Sequence, residues 1–326
     1  MTRFFANANY DFIGVRRYAY ILTALLIIPG LLFTLLAGLN YSIEFTGGTM
    51  IQVKPNKPLN VGALRAELDR QGLHGAEIQS FGSANEYVIR ARVAKAGTDA
   101  NDTQATSDLV STALDKVVGR GQYTVGRGAA VGPKVGGELR TKAFLAIFLS
   151  FFAVLAYLAY RFEWRFGVAA VVATAHDILA TIAFIGVMRL EVSLTVVAAV
   201  LSMVGYSLND TIIIFDRVRE NLGRMRNASF AEILNRSVNE TLPRSILTHG
   251  TTLGTLLALT VFGGEVIRPF ALVMFFGVFT GTFSSIYIAS PVLMAIEKRW
   301  PGPHTHARKP RAAAPTAASR KTQPVA

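Results

Sequence analysis

The sequence predicts a membrane all-α bundle of six transmembrane helices with one extracytoplasmic α+β insert. Three observations lead there. Six apolar runs are each long enough to cross a bilayer, which takes roughly 20 helical residues. Lys and Arg alternate between dense and sparse in successive connections. One connection, residues 40–141, patterns as strands and helices rather than as a loop. Of the 326 residues 51% are hydrophobic, which at this length argues against a soluble globule with a single core. The net charge of +12 would suit nucleic acid, but its placement in short segments flanking apolar runs explains it better, so no nucleic-acid partner is expected. The chain has no cysteine, which excludes a disulfide framework and thiol chemistry.

The first apolar run, 18–39, follows Arg16 and Arg17. It is too long for a signal-peptide core and lacks a small-residue cleavage site, so it reads as an uncleaved helix after a cytoplasmic N-terminus, 1–17. In the insert, GTMIQVKP alternates as a strand and VGALRAELDRQGL has a helical period ending at Gly72. AEIQSFG and EYVIRARVA read as a hairpin across Ser83, Ala84 and Asn85. The helix SDLVSTALDKVVGRG and the strand YTVGRGAAVG complete a βαββαβ order. That order predicts a ferredoxin-like module, an antiparallel sheet with both helices on one face. It contains no catalytic or phosphate-binding motif.

The other five spans are read at 142–160, 167–188, 192–215, 245–262 and 269–296, and a basic tail, 297–326, is expected to be disordered and cytoplasmic. Arg3, Arg16 and Arg17, then Arg161 and Arg165, then Arg217, Arg219, Arg224, Arg226 and Arg236, and finally Lys298 and Arg299 fall in alternate connections. The intervening short ones hold only Arg189 and Arg268. Both termini are therefore expected in the cytoplasm and the insert on the other side. The segment 216–236 reads as a basic loop that sets topology and touches anionic lipid.

The residue that most needs explaining is Asp210, which Ile212, Ile213, Ile214 and Phe215 follow closely, so it lies inside an apolar span. A charge at membrane depth costs at least a few kcal/mol and commonly marks an ion path or a polar interface. Thr195, Ser202, Tyr206, Asn209 and Asp210 recur at helical spacing and suggest one polar face. Arg244, Thr248, Thr251, Thr252 and Thr255 suggest a complementary face on the fifth span, with an Asp210–Arg244 ion pair between them. Asp177, beside His176, is a second intramembrane ionisable site. Structural readings stand beside these: a charge that fixes helix registry, threonines that pack, and Gly250–Gly254 and Gly277–Gly281 as helix-contact faces. A hydrolase using Ser207 with His176 or His249 would lack the G-x-S-x-G elbow, so no enzyme is expected.

The runs GYSLNDTIIIFDRVREN, NETLPRSILTHGTT, LNYSIEFTGGT, VGPKVGGELRTKA and AHDILATIAF together resemble the SecF family, the smaller membrane subunits of the bacterial SecD–SecF accessory complex of the protein translocase. The resemblance implies half of the pseudo-symmetric bundle found in resistance-nodulation-division (RND) transporters, with SecD supplying the other half. It implies a place in the bacterial inner membrane and use of the proton motive force in late preprotein translocation. The implied partners are SecD, the Sec channel with its associated membrane subunits, and the translocating preprotein. Asp210 falls on the family's proton-pathway aspartate, Arg244 on its basic partner, and Asp177 in a matching motif. Gly47 and Gly48, with Gly132, Gly136 and Gly137, form the junctions expected to pass motion to the insert. No metal or cofactor is implied beyond a coupling ion, H⁺ or Na⁺. The chain departs from the family at Glu44, where Asp is common. The alternative reading is half of an RND-type secondary transporter exporting lipid or small molecules.

Overall fold

The computed structural model describes residues 8–74, 76–80, 85–91, 102–131, 133–264 and 267–302. The apolar run after Arg16 forms α1 (Arg16–Ala37), which exposes Ile21, Leu25, Ile28 and Leu35 on a face suited to lipid. A short strand, β1 (Asn40–Tyr41), leads into α2 (Ile43–Thr46), which is capped by Ser42 accepting from the Glu44 amide at 3.3 Å.

The insert then runs β2 (Gly48–Pro55), α3 (Val61–Arg70), β3 (Glu77–Ser80), β4 (Tyr87–Ala91), α4 (Asp102–Val117) and β5 (Tyr123–Val131). These strands form one sheet in the order β3-β4-β2-β5, every neighbour antiparallel. Alternation in β2 turns Ile51 and Val53 onto Leu64 and Leu68 of α3 and Val110 and Leu114 of α4, so both helices cover one face of the sheet. Residues 83 and 84 of the expected hairpin lie outside the described residues, as do 92–94 at the end of its second strand.

The bundle continues with α5 (Pro133–Arg161), α6 (Trp164–Val187), β6 (Glu191–Val192), α7 (Leu194–Arg224), α8 (Phe230–Phe262) and α9 (Ile267–Ser284). A π-helical stretch, Ser285–Ala289, joins α9 to α10 (Ser290–Arg299) as one rod. Among the described residues, six stretches are long and apolar enough to cross a membrane: α1, most of α5, α6, α7, α8 and the α9–α10 rod. The buried core is drawn chiefly from α6 to α10, around Ala173, Met203, Ile214, Val278 and Leu293. By contrast α5 leaves Phe144, Phe148 and Phe152 exposed.

Three boundaries differ most from the sequence reading, and all lengthen helices: α7 runs on to Arg224 rather than 215, and two helices start earlier. The fifth span begins at Phe230 rather than 245, because Ser229 and Glu232 form a reciprocal capping box. The basic segment 216–236 is therefore not a loop: it is the ends of α7 and α8 joined by 225–229. Its arginines are held by neighbours, Arg217 to Glu240 at 2.6 Å and Arg236 to Glu240 at 2.6 Å. Arg165 is buried, 2.5 Å from Glu163 and 2.7 Å from Glu297. The helix α5 likewise starts at Pro133, ahead of the span read at 142–160, so the exit from the insert is already helical.

Candidate functional site

The site is built where α6, α7, α8 and α9 meet. Ser193 caps α7 by accepting from the Val196 amide at 3.2 Å, and the helix carries Ser207, Asp210 and Thr211 inward. Asp210 is 2% exposed. Its Oδ1 accepts from the Ser245 hydroxyl of α8 at 2.5 Å, whereas its Oδ2 has no hydrogen-bond partner among the described residues.

The expected Asp210–Arg244 ion pair is not made. Arg244 is exposed and acts on Asp210 only through space. The reason is helical rotation: neighbours on a helix point about 100° apart. α8 turns Thr241, Ser245 and His249 inward, and this sends Arg244, Leu247 and Thr251 outward. The polar stripe of α7 divides in the same way. Ser202 and Asn209 are exposed, while Tyr206 is half-buried and turns to α8. The Tyr206 hydroxyl donates to the Thr248 carbonyl at 3.2 Å and lies 2.8 Å from the Thr252 hydroxyl, and its ring meets His249 edge-on at 5.4 Å.

Asp177 on α6 is fully buried and well supplied with donors. Its Oδ2 accepts from Ser207 at 2.5 Å and Ser284 at 2.7 Å, and its Oδ1 lies 3.0 Å from His176 Nδ1. Beside this knot, Thr211 and Ser285 join hydroxyl to hydroxyl at 2.7 Å. The Ser207 hydroxyl thus belongs to Asp177, and neither His176 nor His249 hydrogen-bonds it, so the hydrolase arrangement is absent. Ser245, Ser284, Ser285 and Thr211 were not singled out in the sequence. Two consecutive serines in an apolar run were the available signal, and here they begin a π-helical stretch, a feature common at functional sites.

The close approach of α7 and α9 requires glycine. A Cβ on Gly281 would stand 2.8 Å from Ser207 Cβ, and one on Gly277 would overlap Met203. Gly277 and Gly281 are therefore a true contact face, whereas a Cβ on Gly250 or Gly254 would meet nothing within 4 Å among the described residues. At the insert, Gly47 and Gly48 have φ of 72° and 130°, and a Cβ on Gly136 of α5 would come within 2.8 Å of the Gly47 nitrogen. Gly137 has open space, and Gly132 lies outside the described residues.

Residues 110–299 match the family model described as protein export membrane protein SecD/SecF, C-terminal, and residues 33–59 match the SecD/SecF GG motif. The protein translocase subunit SecF of Gemmatimonas aurantiaca is 53% identical over 305 residues, covering 92% of this chain and 91% of that protein. The chain belongs to the SecF family. The Escherichia coli O157:H7 member is 35% identical, with 88% of each chain covered. Among solved structures, SecDF from Thermus thermophilus, described as a translocon-associated membrane protein, matches with a TM-score of 0.78 at 35% identity. That match covers 90% of this chain, and the chain spans 39% of the solved one. SecDF in its super-membrane-facing form matches with a TM-score of 0.64 at 36% identity. The two family models take in every side chain of the carboxylate cluster and of the Gly47–Gly48 turn.

Proposed function

We propose that this chain works with SecD as an ion-driven subunit of the protein translocase, using the proton motive force to promote late preprotein translocation through the Sec channel. The observation that carries the ion-handling part is Asp210: a buried carboxylate with one oxygen on Ser245 and the other unpartnered. Such a group in a membrane bundle gains or loses a proton with little rearrangement of its hydrogen bonds. Asp177 belongs to the same pathway as the carboxylate that ties α6, α7 and α9 together, and Arg244 supplies positive charge from outside the bundle. No catalytic chemistry is assigned, and the coupling ion is H⁺ or Na⁺ with no cofactor.

The partner reading is supported by the outer face of α7 and α8. Ser202 and Asn209 on one helix and Arg244, Gly250, Thr251 and Gly254 on the other are exposed. Small and weakly polar surfaces suit a helix partner better than lipid. This face would receive the SecD half of an RND-type bundle, so the ion route is shared between the two subunits. The insert, with its split β-α-β strand order, is read as ferredoxin-like and extracytoplasmic. Both termini are placed in the cytoplasm of a bacterial inner-membrane protein, with anionic lipid at the basic end.

Ion flux and preprotein release measured together in vesicles, across pH and Na⁺, test this. Asp210→Asn keeps the size and removes the titration, so proton-driven release is expected to be lost. Full release by that variant would sink the assignment of Asp210.

A further inference from the structure

The insert leaves the membrane domain at α1 and rejoins it at α5, and it is also tied to the connection between α6 and α7. Residues 189–194, between α6 and α7, are gripped four times. Arg189 donates to the carbonyls of Ala37 and Gly38 at the end of α1, at 3.2 and 2.7 Å. Glu191 pairs with Arg90 of β4, the same arginine lying 3.5 Å from Glu77. β1 and β6 pair in parallel, and the Ser42 amide donates to the Val192 carbonyl at 2.9 Å. Finally, the Leu194 amide, the first of α7, donates to the Glu44 carboxylate at 2.6 Å.

That last contact is chemically specific. The first amides of a helix have no acceptor within it and carry its positive dipole end, so an anion there both satisfies a donor and complements the dipole. Ser193 serves the Val196 amide, and Glu44 reaches across from the insert to serve Leu194. Glu44 is itself fixed, because its own amide and carboxylate both engage Ser42, and α2 is wedged against Gly136 of α5. The helix so held is the one that carries Asp210 and the Ser207 donor to Asp177.

We infer that Glu44 is a positioning residue for ion-driven release: rooted in the insert, its carboxylate holds the first turn of the helix that bears Asp210, so that insert and helix move together. The inference rests on the proposed role of Asp210 and identifies the connection through which a change there reaches the insert. The covalent junctions near Gly47 and Gly136 then act as pivots.

The test uses the full chain reconstituted with its SecD partner in proteoliposomes, reading ion flux and preprotein release from the same vesicles. Glu44→Ala is expected to lower release per ion moved about fivefold, the size of losing one charged cap, with flux within about twofold of the unsubstituted complex. Glu44→Asp, one methylene shorter and still anionic, should restore most of that ratio. An unchanged ratio in Glu44→Ala overturns the inference. Flux and release falling together also overturn it, since Glu44 would then serve the ion path or the fold. Should Glu44→Ala fail to assemble, hydrogen exchange at the Leu194 amide in Glu44→Gln decides: faster exchange supports the charged cap, and unchanged protection rejects it. An unsubstituted complex without ion-driven release would instead remove the underlying function, which is a separate result from any behaviour of Glu44.

Discussion

Two aspartates occupy the core of this bundle, Asp177 with three donors around it and Asp210 with one. Both are buried almost completely, so depth does not separate them. Their neighbours do. A carboxylate tied to hydroxyls from two other helices acts as a fastener, because changing its charge disturbs contacts on every side. A carboxylate with one oxygen free changes charge while keeping the hydrogen bond it has. The comparison teaches that a buried acid in a membrane helix is a locking point or a working point according to how completely its oxygens are matched.

The largest effect that would sharpen this is on Asp177. Replacing it by Ala leaves Ser207 and His176 without that partner and Ser284 with the Gly281 carbonyl alone, and the complex should lose about 3–5 kcal/mol of stability. Thermal unfolding in detergent measures it, and a loss no greater than that of an Asp210 variant would erase the distinction. Gly281→Val comes next, since its side chain would press on Ser207, with an expected cost of about 1–3 kcal/mol in the same assay. Gly250→Val should leave that midpoint in place and instead weaken co-purification with SecD, because a Cβ on Gly250 would meet nothing among the described residues. Asp210→Asn should shift stability by no more than about 1 kcal/mol while abolishing proton-driven release.

The smallest effect concerns the insert, away from the bundle. Lys116, with Gln71 and Arg70, holds the Glu67 carboxyl at about 2, below its usual 4.5. A depressed carboxyl contributes stability that is fully present above the usual value and is lost as pH falls through the folded one. The protection of α3 amides in the full chain, taken relative to the intrinsic exchange rate at each pH, should therefore fall between pH 4.5 and about 2. Glu67→Gln should flatten that response, and an unaltered acid response would show that the Lys116 contact does not clamp α3 to α4.

Much of the architecture was legible because it is local. The 3.6-residue period, the two-residue alternation of β2 and the long apolar runs are read within a few turns of chain. The early start of α8 was legible too, in the S-x-x-E pattern of Ser229 to Glu232, although the apolar run drew the boundary later. The candidate site was half legible. Asp177 and Asp210 stand out by composition alone, but the choice between Arg244 and its neighbour Ser245 turns on 100° of helix rotation, which a span without a clear partner surface leaves open. The two-residue pairing of β1 with β6 carries no periodicity at all.

The sequence by itself therefore determined which runs form helices long and apolar enough to cross a membrane, the order of the insert's elements and the presence of two acids in apolar helices, all consequences of neighbouring side chains. Only the tertiary structure decided that Asp177 is locked, that Asp210 rests on Ser245, and that Glu44 reaches the first amide of α7. Those facts join residues 30 to 150 positions apart. Contacts between such residues depend on how whole helices rotate and dock, and a shift of one residue along a helix turns a side chain to another face.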